Sequence, residues 1–138
     1  MKKLPDWEFA FDSFIDSNKN KSFMWGEWDC CLFSNSLIQK ITGEDLIPKT
    51  LTWKDEASAK KSIKKYGGTL LKSIEKACVN KGVLEVDKMF VTKGDLVVYK
   101  EKTNLVGICD GMNVLSPSTD GIEVKPTELI VKAWRING

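Results

Sequence analysis

The chain contains no histidine among its 138 residues. That single absence removes a histidine general base and a histidine metal ligand from any chemistry performed by its own side chains. A dominant charge is missing too: 21 basic and 19 acidic residues leave a formal net charge of +2. Such a balance gives no electrostatic case for nucleic acid or for an anionic membrane surface as a partner. No apolar run approaches the ~20 residues of a membrane span. The opening Met1-Lys2-Lys3-Leu4-Pro5-Asp6 has the charge of a signal peptide without an apolar stretch behind it. The chain is therefore expected to be made and used in the cytoplasm, or assembled from there into a larger particle. Only four cysteines occur, Cys30, Cys31, Cys78 and Cys109, spaced neither as a zinc site nor as a disulfide framework. Reduced thiols are expected, with no metal and no cofactor. Neighbours on a helix diverge, so Cys30 and Cys31 are not expected to pack on the same face.

What is present is an ordinary globular balance, 42% hydrophobic and 29% charged, in a length that suits one domain over residues 1–138. Leu4, Trp7, Phe11, Phe14 and Ile15 recur at helical spacing, which predicts a helix over 5–17 with Pro5 in its first turn. Asp29 is a good N-cap for a second helix carrying Cys30, Phe33, Leu37, Ile38 and Ile41, stopped by Gly43. This helix is nearly apolar on its inner side and should be central. A more polar helix over 55–66 would turn Lys60, Lys61, Lys64 and Lys65 to solvent, and Gly67-Gly68 breaks it. Leu70, Leu71, Ile74, Ala77 and Cys78 predict a fourth helix ending near Lys81-Gly82.

Beyond residue 82 the period shortens. The segments 84–86, 89–91, 95–99, 105–109, 113–115, 122–124 and 130–134 read as short strands, with turns at Lys93-Gly94, 110–113, Ser116-Pro117 and Asp120-Gly121. Helices first and an antiparallel meander second make an α+β fold, N-terminal helices packed on a C-terminal antiparallel sheet.

Three motifs carry chemistry. In Trp25-Gly26-Glu27-Trp28-Asp29-Cys30-Cys31-Leu32-Phe33, a cysteine opens a helix, where unpaired backbone N–H groups and the dipole favour thiolate. Asp29 caps the turn and adds an opposing charge. Cys30 can equally be read as a small buried hydrophobe, as most free cysteines are. Lys93-Gly94-Asp95-Leu96-Val97-Val98 is a turn leading into an apolar strand. Leu105-Val106-Gly107-Ile108-Cys109-Asp110-Gly111 is a strand with a glycine where a side chain would obstruct something, followed by a tight turn. Phe23, Trp25 and Trp28 either line a groove beside Cys30 or fold as core over the helix start, and the core reading is favoured.

In this order the three motifs resemble the NlpC-type papain-like cell-wall hydrolases. These have an Asp-Cys pair opening a helix, a Gly-Asp-Leu-Val strand start and a His-Val-Gly-Ile-x-x-Gly strand. The match covers roughly residues 23–135. The fuller wording, with Trp25-Gly26 before Asp29-Cys30, Phe33 after it and Ala133-Trp134-Arg135 near the end, resembles uncharacterised bacteriophage proteins often encoded among tail genes. The resemblance implies a papain-like fold with Cys30 in the nucleophile position. It also places the base position at Leu105, which cannot accept a proton. The polar residue that orients the family's histidine falls near 113–116 and has nothing to orient.

Two functions follow as expectations. One is a non-catalytic, pseudoenzyme module of a phage tail or similar particle, found in the virion or the host cytoplasm, with other particle proteins as partners. The other is a cysteine peptidase or amidase acting on peptidoglycan peptides, its base supplied by a carboxylate (Asp29 and Asp110 are the candidates weighed) or by a partner chain. Trp25, Trp28, Asp29 and Asp110 are the candidate groove residues. A Cys30–Cys109 disulfide would need Cα atoms within ~7 Å.

Overall fold

The structure is a computed structural model and describes residues 1–138. Four helices precede a six-stranded sheet in the chain: α1 (Trp7–Asn18), α2 (Cys30–Thr42), α3 (Glu56–Tyr66), α4 (Leu70–Asn80), β1 (Leu84–Val86), β2 (Leu96–Lys100), β3 (Asn104–Cys109), β4 (Val114–Ser118), β5 (Gly121–Lys125) and β6 (Ile130–Arg135). The fold is α+β and all strand pairs are antiparallel, in the order β1-β6-β2-β3-β4-β5. β2 to β5 form the expected meander. β6 then returns across the sheet to lie between β1 and β2. No helix is long and apolar enough to cross a membrane.

α2 is the central helix because its sequence is apolar on nearly every inward position. Phe33, Leu37, Ile38 and Ile41 are completely buried, and each such side chain contributes about 1.5–3 kcal/mol of transfer free energy. They pack against Leu96, Val98, Val106, Ile108 and Leu115 on one sheet face. The opposite face gathers Val97, Tyr99, Val114, Ile130 and Ala133 into a second, smaller core. Gly43 ends α2 in the left-handed conformation (φ 82°), donating its N–H to the Gln39 carbonyl. Gly107 serves close approach: a Cβ there would lie 2.6 Å from Val114 Cγ1 and 2.7 Å from the Leu115 carbonyl oxygen. The obstruction inferred from the sequence is thus the neighbouring strand β4.

Several local expectations are corrected. α1 begins at Trp7, with Asp6 at its N-cap, so Pro5 precedes the helix rather than entering its first turn. Residues 88–90 form a 3-10 turn, not a strand. Asp87 accepts the Met89 N–H at 2.8 Å, and Met89 and Phe90 point to solvent. Local capping there outcompetes an apolar triplet with no strand to pair with. Ser116-Pro117 lies inside β4 rather than in a turn. The β3–β4 ladder holds only Ile108↔Leu115 and Cys109↔Val114. Past Leu115 the two strands part, so β4 has a free edge on which a proline is tolerated.

One buried charge ties the strand motifs together. Asp95 is fully buried and accepts from Arg135 Nε (3.0 Å), Arg135 Nη2 (2.8 Å) and the Thr92 N–H (2.8 Å). Arg135 Nη2 also donates to the Phe90 carbonyl at 2.7 Å. Gly94-Asp95 and Trp134-Arg135, distant in sequence, are therefore two halves of one contact. Replacing Arg135 by Met should leave the Asp95 carboxylate buried and uncompensated, lowering unfolding free energy in urea titration by about 3–5 kcal/mol. The double variant Asp95→Leu/Arg135→Met should recover most of that loss.

Candidate functional site

The second helix starts where it does because Asp29 fixes it. Its extended backbone (φ −94°, ψ 177°) places Oδ1 to accept the Leu32 N–H at 3.0 Å. Oδ2 accepts the Gly26 N–H at 3.0 Å and Trp53 Nε1–H at 2.7 Å. Gly26 has φ 80°, and a Cβ on it would lie 2.8 Å from Lys54 Cα. Glycine thus lets the Trp53-Lys54 segment lie directly against the loop before Cys30. With both oxygens committed to donors, Asp29 has no role as a base for the adjacent thiol.

Cys30 opens onto a cleft of about 480 Å³. Trp25 and Trp53 stand on one side, Glu56, Ala59, Lys60, Ile63 and Lys64 of α3 on another, and Thr103, Asn104 and Leu105 complete it. Leu105 lines the same cleft as Cys30. No proton acceptor occupies that place. A smaller apolar recess of about 30 Å³ lies between α2, α3 and α4 and shares Cys31, Trp53, Ile63 and Leu70 with the cleft. No group of three or more Cys, Asp or Glu side chains is arranged to hold a metal ion.

Over residues 2–136 the chain matches the family described as Domain of unknown function (DUF6950). The chain belongs to that family. No curated protein matches it.

In this DUF6950 domain Cys31, unlike Cys30, also lines the smaller recess, so the two adjacent side chains diverge in part, as expected. Both are buried at the helix start and both line the cleft. The Cys30 pKa is held below the ordinary thiol value, chiefly by the neighbouring Cys31 thiol. Burial opposes it, the Val106 backbone N–H facing the sulfur assists, Asp29 opposes, and the Cys31 N–H adds a smaller assistance. Cys31 moves the other way, well above the ordinary value, because of the neighbouring Cys30 thiol and because it is buried.

The remaining cysteines are inert by comparison. Burial first, then the Glu75 charge, push Cys78 up to about 12. Burial also raises Cys109, whose sulfur accepts the Gly111 N–H at 3.4 Å. All four thiols are free. Cys109 ends β3 three residues beyond Val106, a run of about 10 Å along a strand, which separates it from Cys30.

Two candidate groove residues lie elsewhere. Trp28 is core, 3% exposed, its ring edge-on to Phe33 at 5.4 Å and tilted against Phe14 at 5.8 Å. Asp110 caps the β3–β4 turn, accepting the Met112 N–H (2.9 Å) and the Asn113 N–H (2.7 Å) at the opposite end of β3 from Leu105. It is not part of the cleft and does not serve Cys30. Trp25 and Asp29 do belong to the cleft.

Other residues were not anticipated. Trp53 supplies a wall and a hydrogen bond from within a polar connection, and only its isolation there could have drawn notice. Lys60 and Lys64 are exposed, as expected, and also stand at the cleft, with Lys60 paired to Glu56 at 2.9 Å. Tyr99 is the sole hydroxyl in the run 96–99 and is fully buried without a hydrogen-bond partner. Burial drives its pKa far up, the nearby Ser116 hydroxyl pulls it partly back, and the Cys30 charge raises it further. Asn104 also leaves its side-chain oxygen buried and unpartnered beside the cleft.

Alkylation by iodoacetamide should modify Cys30 first, at a pH below the ordinary thiol range, with Cys78 and Cys109 protected in the folded protein. Cys31→Ala removes the chief cause of the lowered Cys30 pKa, so the Cys30 rate–pH profile should shift to higher pH. An unchanged profile, followed by peptide mapping, would refute the paired-thiol account.

Proposed function

We propose that this DUF6950 chain is a papain-like module of NlpC type that has lost amide hydrolysis, kept as a structural or assembly component of a bacteriophage tail or a similar particle. The observation that carries this reading is that Cys30 and Leu105 line one cleft. The thiol stands at the start of the central helix and leucine stands where a proton acceptor would be needed. Four helices followed by an antiparallel sheet, with the Asp-Cys, Gly-Asp-Leu-Val and Val-Gly-Ile segments in that order, support the NlpC-type part of it. The phage association rests on the fuller motif wording. Its residues have structural work here: Gly26 and Asp29 are hydrogen-bonded to each other, and Arg135 is bound to buried Asp95. Other particle proteins are the partners this reading implies.

The second reading, a cysteine hydrolase acting on peptidoglycan peptides, is favoured by the depressed Cys30 pKa and the open cleft. It needs a base that this chain does not offer. Asp29 is saturated, Asp110 is remote, and Glu56 is turned to Lys60. General base catalysis supplies about 10²–10⁴-fold, and its loss falls on expulsion of the amine as well as on attack.

The isolated protein should show no hydrolysis of peptidoglycan or of simple amides near neutral pH. Leu105→His should create Cys30-dependent activity, lost again in Leu105→His/Cys30→Ala. Wild-type hydrolysis that Cys30→Ala abolishes would instead establish the enzyme.

A further inference from the structure

Three connections of the sheet converge at the end of β3 remote from Leu105: the β1–β2 segment, the β3–β4 turn and the β5–β6 segment. They enclose a groove of about 460 Å³ that shares no residue with the Cys30 cleft. Ile130 of the smaller core forms part of the lining, as does Val91, which packs against that core. The rim is apolar and open: Met89 is 79% exposed and Met112 81%. Phe90, between two lining residues, takes no part in the lining and is 71% exposed. Together the three side chains leave on the order of 400 Å² in water, the size at which an apolar patch on a monomer marks an interaction site. The fold does not call for them. At each position it is the main chain that is held: the Met89 N–H by Asp87, the Met112 N–H by Asp110 and the Phe90 carbonyl by Arg135.

We propose that this groove docks on the same groove of a second copy of the chain, about a two-fold axis, with Phe90 of each copy entering the groove of the other. Two observations select a second copy over a different partner. Knob and hole lie side by side on one surface, which is what an isologous contact requires. The rim also carries one charge of each sign, Lys88 and Glu128, both exposed and neither in an ion pair within the chain. Two-fold pairing sets Lys88 of each copy against Glu128 of the other. The patch is then complementary to itself in charge as well as in shape, whereas a partner of uniform charge would leave one of the two unanswered. The apolar area is small beside the ~800 Å² per partner of a standard interface, so the dimer forms and dissociates with concentration.

Sedimentation velocity of the full chain over a concentration series tests the proposal. Wild type should pass from monomer to dimer as concentration rises. Phe90→Ser should weaken dimerisation roughly tenfold or more, with circular dichroism to show that the variant folds. Lys88→Glu and Glu128→Lys, each alone, should weaken it several-fold. An equimolar mixture of those two variants should associate more tightly than either by itself, because both rim contacts in the mixed dimer again join opposite charges. Wild type that stays monomeric up to about 1 mM would overturn the proposal. So would a dimer that Phe90→Ser leaves unchanged, which must lie on another surface, or a mixture no tighter than its components. Growth past the dimer into open-ended chains would mean a head-to-tail contact and would rule out the two-fold pairing.

Discussion

The carboxylate of Asp29 accepts hydrogen bonds from three stretches of chain: the loop at Gly26, the first turn of α2 at Leu32, and the indole of Trp53. Everything at the site depends on this convergence. It sets the residue at which α2 begins, and so puts Cys30 in the turn whose N–H groups are unpaired. It folds the aromatic loop back so that Trp28 enters the core while Trp25 stays at the cleft. It also draws the 43–55 connection over the helix start, which brings α3 and its lysines to the opening. Buried at 1% exposure, this carboxylate persists only because each oxygen is answered by donors.

Competing effects on the Cys30 sulfur can be ranked. The helix N-terminus favours thiolate by roughly 0.3–1 kcal/mol. Burial and the Asp29 charge oppose it. The neighbouring Cys31 thiol and the Val106 amide outweigh them and lower the Cys30 pKa. That arrangement stabilises a charge without providing any means to move a proton. The protein thus separates two properties that one histidine would combine, nucleophilicity and leaving-group protonation.

Helix content and the α2 stripe were legible in the sequence because apolar spacing and caps act locally. Asp29, Gly43 and Gly67 each mark an end by chemistry contained within one turn. Cys30 and Leu105 could be matched because motif order survives without knowledge of contacts. What could not be read were features decided by distant partners. Asp95 and Arg135 lie 40 residues apart and meet only across β2 and β6. Residues 89–91 looked like a strand because apolarity alone does not reveal that no neighbour awaits them. Lys60 and Lys64 are exposed, as their type suggested, but that they also border the cleft depends on α3 crossing the helix start.

The parting of β3 from β4 has a spectroscopic consequence. Backbone groups alternate along a strand, and Cys109 exchanges hydrogen bonds with Gly94 and Asp95 on the β2 side. Val106, an odd number of residues earlier, turns its amide the other way. Because β4 has already left, that amide faces the Cys30 sulfur instead of a carbonyl. The proton on Val106 nitrogen is in effect a built-in indicator. Its chemical shift and exchange rate report whether the sulfur beside it is charged, protonated or covalently occupied, with no label attached to the thiol.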